Sequence, residues 1–483
     1  MTLRTQLWIG NEWVDAQSGK TFEDVNPATG EVFAQVAEAD AADIDKAVEA
    51  ARAALGSKPW AGMNPHKRSR LLWRLADLIE ENADELGALE TQDNGKPYFE
   101  SRKVDLPSVV ENLRYYAGLA DKLQGTTIPV AGPFLNYTLR EPVGVVGAII
   151  PWNFPLSMVA WKAAPALACG NAIIIKPAEE TPLTALRFGE LAAEAGFPPG
   201  VVNVVPGFGE TAGAALVRHP GVDAISFTGS TEVGKIVMRE AADTLKKVSL
   251  ELGGKSPNVV FADADIPAAI RGANTGIFYG KGEVCAAGSR VLVEAAAYDE
   301  FVDGLAARAA KATIGDPMDE GTRLGAIVSE AQLNRVMHYI DAGKADGARL
   351  VAGGERVEVN GGGNFVQATV FADVDAKMTI AQEEIFGPVA AVMPFDDVED
   401  AIAKANDTIF GLAAGVWTRD IGKAHRVAHE IRAGTVWVNT YNQYDSASPF
   451  GGFKQSGFGR DLGLESALEK YTELKSIWVA VDG

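Results

Sequence analysis

The sequence predicts an α/β protein made of two parallel-sheet domains, with a small extended hairpin set apart from both. Three observations predict it. From residue 143 to 252, apolar strand-like runs alternate with helical spacings, the pattern of a parallel sheet with helices on both faces. A second alternation of the same kind spans about 257–454. Between the helical N-terminal region and the first alternation, and again at the C-terminus, extended stretches stand without an obvious local partner.

Taken in order, residues 7–36 carry short strand-like pieces with turns at Gly10-Asn11 and Asn26-Pro27-Ala28-Thr29-Gly30. Residues 41–55 and 65–90 show helical spacing, and in the second Leu71, Leu72, Leu75, Leu78 and Ile79 form one apolar stripe. Helices continue to about 122, with a break at Asp93-Asn94-Gly95-Lys96-Pro97. Residues 126–130 and 134–140 read as the extended hairpin, and 476–481 as a further strand. Such strands invite pairing with another chain or pair within their own, and the sequence leaves both open.

In the first alternation, strands are expected at 143–150, 172–176, 201–205, 224–228 and 248–252, with helices at 156–168, 181–195, 210–218 and 230–245. Ligands of such a sheet bind at the C-terminal ends of its strands. In the second, the clearest strands are 258–261, 290–293, 365–370 and 390–394, with helices at 298–312, 330–345 and 398–406; Gly361-Gly362-Gly363 reads as a short loop.

Composition narrows the class. A chain of 483 residues allows two to four domains at roughly 150 residues each. The net charge of −20 argues against nucleic acid and against an anionic membrane surface. Two cysteines make no disulfide framework and favour a reducing compartment, the cytoplasm. The first eight residues lack the apolar core of a signal peptide, and the most hydrophobic region, 143–177, is too interrupted to span a membrane.

Several stretches carry candidate chemistry. Cys285 lies among small residues in Gly280-Lys281-Gly282-Glu283-Val284-Cys285-Ala286-Ala287-Gly288, ahead of a buried strand. It reads as a nucleophile or as a small buried hydrophobe; Cys169 is most simply buried. Phe227-Thr228-Gly229-Ser230-Thr231-Glu232-Val233-Gly234 joins a strand to a helix, where free helix amides suit a phosphate and Ser230 suits a cap. A looser glycine pattern, Gly207 to Gly213, stands one strand earlier. Lys176 and Glu179 lie just past a strand end, where a carboxylate suits ribose hydroxyls and repels a 2′-phosphate. Asn153, in Pro151-Trp152-Asn153-Phe154-Pro155, is a turn former or an amide donor to a developing oxyanion. Glu251, between two leucines at a strand end, is a solvated glutamate or a base whose pKa burial raises. His425 and His429 are four apart on a helix, but no third ligand accompanies them and no metal site is expected.

Together these segments resemble the aldehyde dehydrogenase superfamily. The matches are Pro151-Trp152-Asn153, Lys176-Pro177-Ala178-Glu179, Phe227 to Gly234, Glu251-Leu252-Gly253-Gly254-Lys255, Gly282-Glu283-Val284-Cys285, Glu383-Glu384-Ile385-Phe386-Gly387-Pro388-Val389 and Pro449-Phe450-Gly451-Gly452-Phe453-Lys454-Gln455-Ser456-Gly457, in the family's order across nearly the whole chain.

The resemblance implies two Rossmann-like domains: a dinucleotide-binding domain of 1–123 and 143–255, and a catalytic domain of 256–468. It makes 124–142 and 469–483 an oligomerisation arm, and the protein a homodimer or homotetramer. It implies oxidation of an aldehyde to the acid with NAD, NADP being possible. Cys285 is then the nucleophile, Asn153 and the Cys285 amide hold the oxyanion, and Glu251 activates water against the thioester. Trp152, Lys176, Glu179, Gly209, Gly213, Phe227, Gly229, Ser230, Gly234, Glu384 and Phe386 fall at the cofactor. Phe154, Met158, Trp161, Tyr279 and Phe450 line the substrate tunnel, whose apolar character suggests a medium-chain aliphatic or aromatic aldehyde.

The family's usual run before the cysteine is Phe-x-Asn-x-Gly-Gln-x-Cys. Here Gly280 stands for the Asn and Glu283 for the Gln. A carboxylate there raises the thiol pKa if it points inward. Two alternatives remain open: a branch that transfers the acyl group to CoA and typically lacks the base that Glu251 supplies, and an inactive binding protein on the same fold.

Overall fold

Val145–Ile149 and Ala172–Lys176 are buried along their whole length, as apolar strands covered by helices on both faces must be. They form the centre of an eight-stranded sheet in this computed structural model, which describes residues 3–481. Residues 1, 2, 482 and 483, at the ends of two expected units, lie outside the described residues.

The sheet runs in the order Glu12–Val14, Leu7–Ile9, Val202–Val204, Ala172–Lys176, Val145–Ile149, Ala224–Thr228, Lys247–Glu251, Gly457–Phe458. Its five central strands are parallel. The order reverses between Val145–Ile149 and Ala224–Thr228, which makes a topological switch point and opens a crevice at the C-terminal strand ends. Trp152-Asn153, Lys176, Gly229 and Glu251 all sit at those ends.

A second, seven-stranded sheet has the order Arg349–Ala352, Thr369–Ala372, Val389–Phe395, Arg290–Glu294, Pro257–Val260, Ala413–Trp417, Thr435–Val438. Only its first strand is antiparallel. Cys285 lies on the segment that leads into Arg290–Glu294, at the N-terminal edge of this sheet. The two sheets therefore present opposite strand ends to the same crevice.

A three-stranded sheet stands apart, in the order Thr472–Ala480, Phe134–Pro142, Thr127–Ile128. The C-terminal strand is paired within the chain, in unbroken antiparallel register from Thr472 opposite Pro142 to Ala480 opposite Phe134.

Three expectations need correction. The helix expected over 65–90 is two, Pro65–Glu81 and Ala83–Asn94. Asn82 divides them: its side-chain amide donates to the Leu78 carbonyl and competes with the helical ladder. The strand expected over 365–370 is also two. Gly362–Val366 closes a hairpin with Arg356–Val359, and Thr369–Ala372 joins the large sheet. The Gln367 amide, bonded to the Glu355 carbonyl, marks the change of partner. In the glycine run only Gly361 belongs to the hairpin turn, at φ 87°.

Candidate active site

A cavity of about 400 Å³ opens between the two large sheets, and Glu251, Cys285, Phe154, Met158, Trp161, Tyr279 and Phe450 all line it. They arrive on several supports. Glu251 is the last residue of Lys247–Glu251. Phe154 precedes the helix Pro155–Ala168, whose Met158 and Trp161 follow at spacings of four and three and so share its face. Tyr279 caps the C-terminus of the helix Ile266–Phe278. The rings form one aromatic wall: Phe154 stacks on Tyr279 at 6.2 Å, and Trp161 meets Phe450 at 5.7 Å. Tyr444, which the sequence reading missed, packs between Trp161 and Phe450 at 6.2 and 5.4 Å. Asp105 was missed too; its Oδ1 accepts from the Tyr279 hydroxyl at 3.0 Å. No local pattern marks either residue, because both reach the cavity from remote segments.

Tight backbone brings Cys285 to the cavity. Gly280, Lys281 and Gly282 are successively left-handed, with φ of 57°, 63° and 73°. A Cβ on Gly282 would collide with the Gly387 backbone, so glycine is required there twice over. The non-glycine Lys281 costs about 1–2 kcal/mol in that conformation. Burial pushes the Cys285 thiol up to about 12, with the charges of Glu384 and then Glu251 adding to it. Glu283 does not face the thiol: its carboxylate pairs with Lys281 at 2.7 Å and accepts from the Val328 amide at 3.1 Å. Burial favours the neutral forms of this pair, and its mutual attraction opposes that.

Glu251 is 5% exposed and neither of its oxygens has a hydrogen-bond partner among the described residues. Burial, and then the charge of Asp461, raises its pKa well above the carboxylate range. Lys162 lies 3.0 Å from Asp461 Oδ2, and Lys470 bonds the other oxygen. This buried trio beside Glu251 was not anticipated. Its one visible sign was a lysine inside an apolar helix, Lys162 of Pro155–Ala168.

Asn153 is buried, and its amide nitrogen donates to the Glu283 carbonyl at 2.8 Å. The second hydrogen of that NH₂ remains for another acceptor. Trp152 meets Phe386 edge to face at 5.1 Å. Phe386 is left-handed at φ 60°, and Gln332 anchors its carbonyl at 2.7 Å.

The remaining cofactor candidates follow the crevice. Buried Lys176 pairs with half-exposed Glu179 at 2.9 Å. Across from them, a Cβ on Gly209 meets nothing within 4 Å and one on Gly213 lies 4.0 Å from Lys176 Cδ. The two glycines leave open the space beside Lys176 that side chains would fill, which fits a ribose held by the lysine and the glutamate. Glu384 Oε1 accepts from the Gly254 amide at 2.8 Å, and burial pushes its carboxyl up to about 7.

Ser230 caps the helix Thr231–Ala241 by accepting from Val233 N, and the Gly229 amide bonds the Glu251 carbonyl. Gly229 and Gly234 also answer packing needs: a Cβ on either would stand 2.5 Å from Phe227 or Leu252. Phe227 is buried beneath this turn at 4% exposure. His429 Nδ1 lies 2.7 Å from the His425 carbonyl. Among the described residues no group of three His, Cys, Asp or Glu side chains is placed to hold a metal ion, and no helix is long and apolar enough to cross a membrane.

The chain is similar to known proteins along nearly its whole length. The model of the aldehyde dehydrogenase family matches residues 13–477. Human mitochondrial aldehyde dehydrogenase is 54% identical over 479 residues, 99% of this chain and 92% of that one. The NAD+ complex of an aldehyde dehydrogenase from Bacillus cereus superposes with a TM-score of 0.97 at 53% identity, covering 99% of this chain and 97% of that one. An indole-3-acetaldehyde dehydrogenase from P. syringae, in complex with NAD+ and IAA, has a TM-score of 0.98 at 48% identity, with coverage of 99% and 97%.

Proposed function

The chain belongs to the aldehyde dehydrogenase family, NAD-dependent oxidoreductases that convert aldehydes to carboxylic acids, and from that premise we propose how its own residues divide the reaction. Cys285 attacks the aldehyde carbon as the thiolate. The free hydrogen on the Asn153 amide and the Cys285 backbone N–H receive the oxyanion of the thiohemiacetal. NAD, when bound, would supply the hydride acceptor; Lys176 and Glu179 would hold its adenine ribose and Glu384 its nicotinamide ribose, Trp152 would line the cleft and Phe386 would lie against the ring. Oxidation leaves a thioester on Cys285. Glu251 takes a proton from water, the resulting hydroxide attacks the thioester carbonyl, and the carboxylic acid leaves as the thiol is restored.

The observation that carries this reading is the meeting of Cys285 and Glu251 in one cavity, from the facing ends of two separate sheets. The base that an acyl transfer to CoA does not need is present. Absorbance of NADH with NAD and a panel of aldehydes, with and without CoA, tests it: turnover without CoA supports hydrolysis, and turnover only with CoA overturns it.

The substrate is a medium-chain aliphatic or aromatic aldehyde. The aromatic wall of Phe154, Trp161, Tyr279, Tyr444 and Phe450 supports this, and the lack of a lysine or arginine among the described lining residues argues against an anionic aldehyde. The relative named for indole-3-acetaldehyde is consistent with it. Better turnover of succinate semialdehyde or betaine aldehyde would remove the assignment. Glu179 favours NAD over NADP.

The chain divides into a dinucleotide-binding domain of 1–123 and 143–255, a catalytic domain of 256–468, whose Gly457–Phe458 reaches back to edge the first sheet, and an arm of 124–142 and 469–483. The arm joins copies into a homodimer or homotetramer. One face of its sheet supports this: Leu135, Leu139 and Val479, which the register places on the same side, are each more than 40% exposed, an apolar patch that a lone soluble chain rarely carries. A cytoplasmic setting suits the two free cysteines.

A further inference from the structure

We propose that Lys281 and Asn94 are positioning residues that aim the Asn153 amide, acting through a closed ring of contacts that also accounts for Glu283. The inference rests on the reading of Asn153 as an oxyanion donor.

The ring can be followed atom by atom. The Lys281 ammonium lies 2.7 Å from Glu283 Oε2. It donates to the side-chain oxygen of Asn94 at 2.9 Å and to the Asn94 carbonyl at 2.8 Å. The side-chain NH₂ of Asn94 donates to the Trp152 carbonyl at 2.8 Å. One peptide bond further on, the Asn153 NH₂ donates to the Glu283 carbonyl at 2.8 Å. The circuit thus returns to the residue where it began.

Asn153 is pinned at both ends. Asn94 fixes the peptide before it, and the Glu283 carbonyl fixes its side chain. Glu283 is in turn immobilised by Lys281 and by the Val328 amide. Asn94, Lys281 and Glu283 are at most 1% exposed, so solvent cannot replace a missing link. With one amide hydrogen committed to the Glu283 carbonyl, the other is held in a single direction, which is what a preorganised donor requires.

The ring also explains the departure before the nucleophile. A carboxylate at Glu283 is tolerated because Lys281, two residues earlier and turned inward by its left-handed backbone, neutralises it and directs it away from Cys285. The pair then serves as a strut between the cysteine segment and the Trp152-Asn153 turn.

The test is a double-mutant cycle on kcat for aldehyde oxidation, with NAD affinity and melting temperature measured alongside. Asn153→Ala is expected to lower kcat about 100-fold or more. Asn94→Ala in the wild-type background should lower kcat about tenfold, a partial loss of the same donor, with NAD affinity held within about twofold. In the Asn153→Ala background the same change should cost less than about twofold, because its effect passes through Asn153. Lys281→Met with Glu283→Gln is the second entry to the cycle, since it removes the link to Asn94 without stranding a buried carboxylate. It should behave the same way, while Lys281→Gln with Glu283→Gln, which restores a hydrogen-bonding pair, should recover most of the kcat.

Losses that multiply in the Asn153→Ala background would overturn the positioning role and leave the ring as a purely structural device. An Asn153→Ala enzyme with unchanged kcat would overturn the donor reading and the ring together.

Discussion

Lys162 Nζ and Asp461 Oδ2 stand 3.0 Å apart, both buried, in the protein interior beside Glu251. Burial alone would raise the Asp461 carboxyl, but Lys162 and Lys470 outweigh it and bring it down to about 2. Asp461 is therefore a fixed negative charge, and it adds to the burial that holds a proton on Glu251. Glu251 acts as a base only when ionised, so turnover limited by it rises as pH climbs through its elevated pKa. In Asp461→Asn the repelling charge is gone and the two lysines remain, so that rise should shift to lower pH by about one unit or more. The variant should also lose about 3–5 kcal/mol of stability from the broken buried pair. A kcat profile against pH, with urea unfolding as control, checks both; an unshifted profile would separate Asp461 from the base.

The thiol of Cys285 should titrate late in the protein without cofactor. Burial pushes it up to about 12, and only the thiolate is alkylated. Iodoacetamide labelling should therefore accelerate about tenfold per pH unit from pH 7 to 9. Cys169, at 3% exposure, should remain unlabelled. A plateau below pH 9 would mean a thiolate already formed.

Removing either partner in the cavity should stop the reaction at a different point. Cys285→Ala should abolish turnover and leave NAD binding, read by protein fluorescence, nearly unchanged. Glu251→Gln should release a burst of NADH of about one equivalent per active site and then stall at the thioester. Steady turnover without a burst would take Glu251 out of the hydrolytic step.

The arm should govern assembly. Leu135→Glu with Val479→Glu places charge on two opposed side chains of one sheet face, exposed by 43% and 42%, and charges on such a face block pairing between copies. Light scattering should show a smaller species than the wild type. A wild-type protein that is already monomeric would overturn the assigned oligomer.

Lys255 should leave a signature in stability. It is 1% exposed, and its ammonium has no hydrogen-bond partner among the described residues. Burial and then Arg290 bring it from 10.5 down to about 7, against the opposing pull of Glu384 and Glu383. Between those values the unfolded chain holds the proton and the folded chain does not. Stability from this group therefore rises with pH across the window, by up to about 1.4 kcal/mol per unit. Urea unfolding at pH 7.5 and 9 should show Lys255→Met lacking that increment and more stable than wild type at the lower pH.

Much of the molecule was legible in the chain because its elements are locally consistent. The strands Ala172–Lys176 and Ala224–Thr228 and the helices Glu330–Ala345 and Val398–Asn406 have the bounds that periodicity predicts. Ser230 was readable as a cap because a cap is a relation among residues three apart. The errors fell where a distant partner decides. The run at 365–370 looks like one strand until its two halves are seen to serve different sheets.

By itself, the sequence determined the alternation that builds two parallel sheets, the strand ends where Asn153, Lys176 and Glu251 stand, and the family whose motifs those residues carry. Only the tertiary structure decided that Glu251 and Cys285 open onto one cavity, that Lys281 turns Glu283 away from the thiol, and that the C-terminal strand finds its partner within the same chain. There Asn136 donates to Ser476 across 340 positions. The physical reason is range. Periodicity, caps and turns are set by neighbours along the chain, whereas burial, ion pairing and strand partnership depend on which remote segments packing brings together, and no local pattern records that.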